Sequence, residues 1–292
     1  MLPPSISLTF SLTSFFVLRA LSNRIMVTSY LGLSADDMPC CLSEPFFMNF
    51  PFESSMAPTV LMDLWGTLIE PIIPKDFYYR TRVLELLRAC GIEPSDDLLE
   101  LAFSVYKNVE EELSIIRKNT LKEISAKKAL SIFFERLGLR VQVGMEHLKA
   151  YSKPFLELTR LKDGASEALD TLSSEYSLIL VSNISLAWMG KEVLRKNDLS
   201  SYFSATLFSE EIGYRKPHPR IFQLALQLAE TSPHECIMVG DELEDDMLGA
   251  KNLGIKTVWV PWEHTHPRPP GYVDEVAYSL IEVPKIVKRM IN

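Results

Sequence analysis

Residues 60 to 68 read Val60-Leu61-Met62-Asp63-Leu64-Trp65-Gly66-Thr67-Leu68. The apolar residues before the aspartate predict a short buried strand over residues 59–62, with Asp63 directly at its end. A carboxylate in this position is costly unless it is paired, binds a metal or takes part in chemistry. The segment therefore predicts a functional Asp63, followed after two residues by a tryptophan that carries no acid or base.

Further apolar runs rich in β-branched residues predict other buried strands, and helical patterns lie between them. The predicted strands are 178–181, 205–209, 236–239, 257–260 and 276–280, and the predicted helices are 186–195, 221–229 and 247–253. This alternation indicates an α/β fold with a doubly wound, mostly parallel, Rossmann-like sheet. Ligands of such sheets bind beyond the carboxyl ends of the strands, where we expect Asp63, Ser182 and Asp241 to meet.

More than a hundred residues separate the first strand from the second, too many for one crossover. Amphipathic patterns at 79–89, 97–113, 125–137 and 145–156 predict an inserted all-helical subdomain. The expected organisation is an N-terminal extension outside the fold (1–57), an α/β core (58–73 and 159–292) and a helical insertion (74–158).

The composition excludes several classes of protein. A formal charge of -8 with scattered Lys and Arg argues against a nucleic-acid binder, and no apolar run is long enough to span a bilayer. The four cysteines lack CxxC spacing, which favours free thiols and a cytoplasmic location. For residues 1–55 we favour a disordered or untranslated extension, with translation starting at Met56, over a targeting segment; the oligomeric state is left open.

Four motifs occur in order at the predicted strand ends and flank the helical insertion. They are Asp63 with Thr67, then Ser182, then Lys216-Pro217, and finally Gly240-Asp241 with Asp246. In this order the motifs resemble the haloacid dehalogenase-like (HAD) hydrolase superfamily. The resemblance covers nearly all of residues 59–260.

The resemblance implies a role for each catalytic residue. Asp63 would be the nucleophile that forms a covalent aspartyl intermediate. Thr67 and Ser182 would donate hydrogen bonds to substrate oxygens, with Asn183 helping to bind the substrate. Lys216 would neutralise both Asp63 and the transferring group.

The loop after the strand 236–239 carries five carboxylates in six positions, which repel one another unless a cation relieves them. Magnesium suits such hard oxygen ligands. By resemblance, Asp63 and Asp241 would bind it through their side chains, Trp65 through its backbone carbonyl, and Asp246 would support the loop or the metal through water. Asp245 is the alternative to Asp246.

Trp65 occupies the position where phosphatases of this superfamily carry an aspartate that protonates the leaving group. The primary prediction is a magnesium-dependent hydrolase, a phosphatase of a small phosphorylated metabolite. A leaving group that needs no proton, such as that of an acyl phosphate, would suit this site. One alternative is a metal-free 2-haloacid dehalogenase, whose branch has an aromatic residue here but replaces much of the acidic loop with Ser and Asn. The other alternative is a catalytically weak binding or regulatory protein.

The helical insertion would act as a cap that closes over the cleft. Arg80, Arg82 and Arg88 of this insertion are candidates for contacts with an anionic substrate. Arginines on helices are, however, most often only solvated.

Overall fold

A computed structural model describes residues 20–21, 24–25, 58–262 and 268–291. The chain divides into two units, residues 1–53 and residues 54–292. In the first unit, β1 (Ala20–Leu21) pairs antiparallel with β2 (Arg24–Ile25). The remainder of the predicted extension, 1–57, lies outside the described residues.

The second unit contains eight strands among the described residues, and six of them form one sheet. The strands are β3 (Thr59–Met62), β4 (Ile69–Pro71), β5 (Thr159–Leu161), β6 (Ser177–Ser182), β7 (Ala205–Phe208), β8 (Cys236–Gly240), β9 (Lys256–Trp259) and β10 (Glu275–Val276). The sheet has the order β10-β9-β8-β3-β6-β7, and every pairing is parallel. Met62 pairs with Leu180 and Val239, so the carboxyl ends of the three central strands coincide.

The helices follow the strands in chain order. They are α1 (Lys75–Ala89), α2 (Asp96–Thr120), α3 (Ala126–Arg136), α4 (Met145–Glu157), α5 (Ala165–Glu175), α6 (Ala187–Lys196), α7 (Ser209–Ile212), α8 (Pro219–Ala229), α9 (Gly249–Lys251) and α10 (Val283–Ile291). A π-helix covers Leu243–Leu248, and 3-10 turns cover Ser200–Tyr202, Pro233–Glu235 and Leu280–Glu282. Of the described helices, none combines the length and apolar character needed to cross a bilayer.

The central sheet has apolar side chains and helices on both faces. Along β3, Val60 and Met62 join one buried cluster with residues of α5 and α10, while Leu61 joins the opposite cluster with residues of α8. This alternation follows from the two-residue repeat of a strand. The doubly wound α/β fold predicted from the sequence is thereby confirmed.

Helices α1 to α4 lie in the chain between β4 and β5. These two short strands pair antiparallel, with Ile69 opposite Leu161, where the chain leaves and re-enters the α/β part. The segment between α2 and α3 contacts the α/β part, since Lys122 bridges to Tyr214 and Ala126 N donates to Ser185 O at 2.7 Å. Backbone hydrogen bonds therefore connect the helical insertion to the α/β part, in addition to the two chain crossings at β4 and β5.

Three details of the fold differ from the sequence prediction. The final strand is β10 at Glu275–Val276, earlier than the predicted 276–280, because this edge strand pairs only briefly with β9. The helix predicted at 247–253 begins earlier and starts as the π-helix Leu243–Leu248. The strands β4 and β5 and helix α5 were not predicted, since the two strands are short and only partly buried.

Candidate active site

The candidate site lies where the central parallel strands end. Asp63 follows β3, Ser182 is the last residue of β6, and Asp241 follows β8. The shared register of these strands brings their ends together although the three residues lie far apart in sequence. Carboxylate oxygens of Asp63, Asp241 and Asp246 all lie within 4.8 Å of one another.

Asp63 is buried and held in a defined orientation. Its Oδ1 accepts hydrogen bonds from Lys216 Nζ at 2.6 Å and from Ser182 Oγ at 3.3 Å. Its backbone N–H donates to Val239 O at 3.0 Å. Within the described part of the chain, Oδ2 has no hydrogen-bond donor and is therefore the oxygen available to a ligand.

Lys216 is a buried cation between two carboxylates. Its Nζ lies 2.6 Å from Asp63 Oδ1 and 2.6 Å from Asp246 Oδ1, and it donates to Val181 O at 2.8 Å. Burial alone would lower the pKa of this ammonium, but the charges of Asp246 and Asp63 more than offset that effect and raise its pKa above the ordinary value. Lys216 therefore stays protonated and neutralises part of the carboxylate charge.

The three-carboxylate cluster carries more negative charge than Lys216 compensates. Burial, together with the charges of Asp63 and Asp246, raises the pKa of Asp241 to about 9. Burial also raises the pKa of Asp246 to about 7, although Lys216 opposes this rise. Closely spaced, partly uncompensated carboxylate oxygens form a donor set that fits a hard divalent cation.

Gly66 allows the approach of Asp241 to the loop after Asp63. Its φ of 88° lies in the left-handed region, and a Cβ at this position would overlap the Asp241 carboxylate. Asp241 is further fixed by Trp259, whose Nε1 donates to Asp241 O at 2.7 Å. The loop geometry therefore requires a glycine here.

Thr67 differs from expectation in its contact. The sequence predicts that its hydroxyl faces the substrate, whereas in the structure this fully buried hydroxyl donates to Asp241 Oδ1 at 3.1 Å. Ser182 similarly donates to Asp63. Both hydroxyls therefore orient carboxylates of the site.

The structure separates the roles of the two adjacent acids in the π-helix. Asp246 is fully buried, faces Lys216 and accepts from the Glu242 N–H at 3.1 Å. Asp245 instead accepts from Asn183 Nδ2 at 3.0 Å. Asn183 also exchanges two hydrogen bonds with the Lys216 backbone, at 2.8 and 3.0 Å, and thus positions the lysine loop.

Trp65 connects the loop after Asp63 to the helical insertion. Its ring stacks on Phe155 of α4 with centroids 5.3 Å apart, and it meets Tyr78 of α1 at 5.7 Å. These rings line a cavity of about 690 Å³ that also borders Asn183 and Asp241. The candidate ligand cavity thus lies between the strand ends and the helical insertion.

Lys162 and Trp259 are site-supporting residues that the sequence did not reveal. Lys162 Nζ donates to Gly66 O at 2.8 Å, and its backbone N–H donates to Leu68 O at 2.9 Å. Burial lowers the pKa of its ammonium. Neither residue belongs to a recognisable motif, so only the folded chain brings them to the catalytic loop.

Comparison with known proteins identifies relatives of this chain. The sequence profile of the haloacid dehalogenase-like hydrolases matches residues 57–254. The glyceraldehyde 3-phosphate phosphatase of Pyrococcus furiosus is 32% identical over 140 residues, 48% of this chain and 58% of that protein. The ribulose-1,5-bisphosphate 5-phosphatase of Halopiger xanaduensis is 28% identical over 206 residues, 70% of this chain and 84% of that protein.

Solved structures resemble the fold as well. The 2-haloacid dehalogenase from Pseudomonas syringae pv. Tomato DC3000 superposes with a TM-score of 0.59 over 80% of this chain and 99% of that chain, at 22% identity. Since that enzyme and the phosphatases above have different names and chemistries, the fold alone does not distinguish between these two activities.

Proposed function

The chain belongs to the haloacid dehalogenase-like hydrolases, and we propose that it is a magnesium-dependent phosphatase of a small phosphorylated molecule. The proposal extends to a cytoplasmic location, supported by the free thiols of Cys90 and Cys236. Its relatives named as phosphatases support the reaction type.

The observation that carries the proposal is the grouping of Asp63, Asp241 and Asp246 around a buried Lys216. Carboxylate oxygens within 4.8 Å of one another suit a cation that accompanies a phosphate group. A dehalogenase of 2-halo acids has no need for this cluster, because its halide leaves without protonation or a metal.

Asp63 would attack the phosphorus of a phosphate monoester. An oxygen of its carboxylate forms the new bond to phosphorus while the bond to the leaving oxygen breaks, and that oxygen departs with the electron pair. Water then attacks the aspartyl phosphate, which releases inorganic phosphate and regenerates the Asp63 carboxylate. Ser182 and Lys216 keep Asp63 in the orientation for both steps through their bonds to Oδ1.

Asp63 and Asp241 would hold the magnesium ion through their side chains, with the backbone carbonyl of Trp65 and with Asp246 in support. Magnesium supplies charge neutralisation at the phosphate group when it is bound. Thr67 and Lys162 contribute indirectly, since the first orients Asp241 and the second holds the Gly66 carbonyl of the same loop.

Trp65 stands at the position that bears an acid in related phosphatases. Its indole cannot protonate the leaving oxygen. General acid catalysis typically contributes about a hundred- to ten-thousand-fold in rate. The proposed enzyme therefore favours substrates whose leaving oxygen departs unprotonated, such as acyl or aryl phosphates.

The helical insertion, residues 74–158, would serve as a cap over an α/β core formed by 58–73 and 159–292. Support comes from the cavity between Trp65, Tyr78 and Asp241, which the two parts line together. A cap of this kind excludes water and selects the substrate.

A metal-free 2-haloacid dehalogenase is the second candidate, favoured by the aromatic residue at position 65. A screen of phosphate monoesters, acyl phosphates and 2-chloro acids, each with and without magnesium, distinguishes the candidates. Phosphate release that depends on magnesium supports the proposal. Chloride release without metal would favour the dehalogenase, and turnover of none of these compounds would favour a binding or regulatory protein.

A further inference from the structure

Arg82 is a buried cation in the helical insertion that has no carboxylate partner. Its side chain, on α1, is 5% exposed. Within residues 58–262 and 268–291, it forms no ion pair with any Asp or Glu. Burying a charge without a counter-ion is unfavourable, so this residue calls for a functional explanation.

The groups around Arg82 are neutral. Its Nε donates to Tyr151 O at 2.9 Å, Nη1 to the Tyr106 hydroxyl at 3.3 Å, and Nη2 to the Tyr78 hydroxyl at 2.8 Å. The guanidinium also lies over the Tyr151 ring at 4.0 Å and near the Tyr78 ring at 4.9 Å. Burial raises the pKa of all three tyrosine hydroxyls, so they remain uncharged.

The guanidinium has five N–H groups, and three of them have acceptors among the described residues. The other two N–H groups have no acceptor among the residues that the structure describes. A guanidinium presents its N–H groups in a plane that matches the two oxygens of a carboxylate or phosphate.

Arg117, in the same helical insertion, shows the usual arrangement for a buried arginine. It lies 3.2 Å from Glu110 and 3.3 Å from Glu123, so two carboxylates balance its charge. Among the described residues, Arg82 has no such carboxylate partner, although it is more deeply buried than Arg117.

Arg82 also borders the candidate ligand cavity. The walls of this cavity include Arg82, Tyr78 and Tyr151 from the helical insertion, and Asn183 and Asp241 at the strand ends. A ligand whose phosphate lies at the carboxylate cluster would therefore share its cavity with the positively charged guanidinium of Arg82.

We propose that Arg82 binds a second anionic group of the substrate, a carboxylate or a further phosphate, and so restricts the enzyme to small phosphate monoesters that carry one. The inference rests on the proposed phosphatase activity for the reaction. The guanidinium of Arg82, which has no carboxylate partner among the described residues, supports the substrate class. Arg82 is a specificity residue in this account and takes no part in bond breaking.

Hydrolysis of matched probes provides the first test. The probes are aryl phosphates that carry a carboxylate or a second phosphate at increasing distance from the ester, each compared with the aryl phosphate that lacks the second anion. The wild-type protein should favour the best anionic probe by about 10- to 100-fold in kcat/KM, the range of a charge-assisted hydrogen bond. The carboxylate and bisphosphate series identify which anion is bound.

Variants assign the preference to Arg82. Arg82→Met should lower kcat/KM about 10- to 100-fold more for the best anionic probe than for its partner without a second anion, because only the anionic probe contacts the guanidinium. Arg82→Lys should keep part of the preference because it keeps the charge. Arg88→Met is the control: Arg88 is on the same helix, is exposed, and pairs with Glu93 at 2.8 Å.

Binding of non-hydrolysable probes separates this inference from the proposed function. Phosphonocarboxylates and alkylphosphonates would be titrated calorimetrically into wild-type protein and the variants. Tighter binding of the phosphonocarboxylate that depends on Arg82 supports the inference even if no phosphate ester is hydrolysed. Equal affinity or equal hydrolysis of anionic and neutral probes by the wild-type protein would overturn it, whether or not Arg82→Met folds.

Discussion

The indole of Trp65 stacks on the ring of Phe155, with centroids 5.3 Å apart and planes inclined by 22°. Trp65 lies two residues after Asp63, whereas Phe155 is on α4 of the helical insertion. The position that holds an acid in related phosphatases thus holds a contact between the catalytic loop and the insertion.

Replacing Trp65 with aspartate should increase turnover of alkyl phosphates. The new carboxylate supplies the missing proton donor, and we expect a gain in kcat of about 100-fold or more on an alkyl phosphate. The gain should be small on an aryl or acyl phosphate, whose leaving oxygen departs without a proton. Steady-state kinetics on one probe of each kind measures the difference.

Trp65→Phe is the matched control, because it preserves an aromatic ring without adding an acid. Losing the stacking with Phe155 should lower the stability of Trp65→Asp by about 1 kcal/mol or more, measured by urea unfolding. If Trp65→Asp folds, binds magnesium and shows no gain on the alkyl phosphate, the missing proton donor does not limit the reaction.

Asp241→Asn should weaken magnesium binding. The variant replaces a carboxylate that would bind magnesium with a neutral amide, so the increase in Tm produced by saturating magnesium in the wild-type protein should largely disappear. Activity should then require a magnesium concentration about tenfold or more higher. Differential scanning fluorimetry across a magnesium titration provides the measurement.

Glu244→Gln serves as the control for this experiment, since Glu244 is an exposed acid of the same segment. Its thermal response to magnesium should match that of the wild-type protein. Undiminished activity of Asp241→Asn in metal-free buffer would contradict the magnesium assignment.

Glu123→Gln should destabilise the contact between the helical insertion and the α/β part. The Glu123 carboxylate is buried, lies 2.7 Å from Arg215 and 3.3 Å from Arg117, and accepts from Ser209 Oγ at 2.5 Å. Removing its charge leaves two arginines without this partner, and we expect the free energy of unfolding to fall by about 3 kcal/mol.

The exposed pair of Glu112 and Arg136 offers a comparison. Glu112→Gln removes the same charge from a surface ion pair and should change the free energy of unfolding by less than about 1 kcal/mol. Equal effects of the two substitutions in chemical denaturation would show that the buried network around Glu123 adds no special stability.

The positions of the central strands along the chain and the residues at their ends could be predicted because buried parallel strands are continuous apolar runs. Asp63, Ser182 and Asp241 follow such runs directly, and parallel topology then brings them to one edge. The short strands β4 and β5 lack such a pattern, since each has three residues and only Ile69 among them is fully buried.

Individual side-chain pairings between distant elements could not be predicted from the sequence. Arg82 reads as one of several arginines on an amphipathic helix, and its burial depends on Tyr106 and Tyr151, which come from α2 and α4. Thr67 was expected to face the substrate, but its hydroxyl partner is Asp241, 174 residues away. Such pairings are determined by packing, which a local pattern does not encode.

The central claim is that Asp63 becomes phosphorylated during turnover. The wild-type protein, mixed with magnesium and an acyl or aryl phosphate and then quenched in acid, would be examined by intact mass spectrometry and peptide mapping. Because no acid or base at position 65 assists hydrolysis of the intermediate, it should accumulate, with one phosphoryl group per chain located on Asp63 and none in Asp63→Asn. Turnover by the wild-type protein with no label on Asp63, or with the label on another residue, would contradict the account.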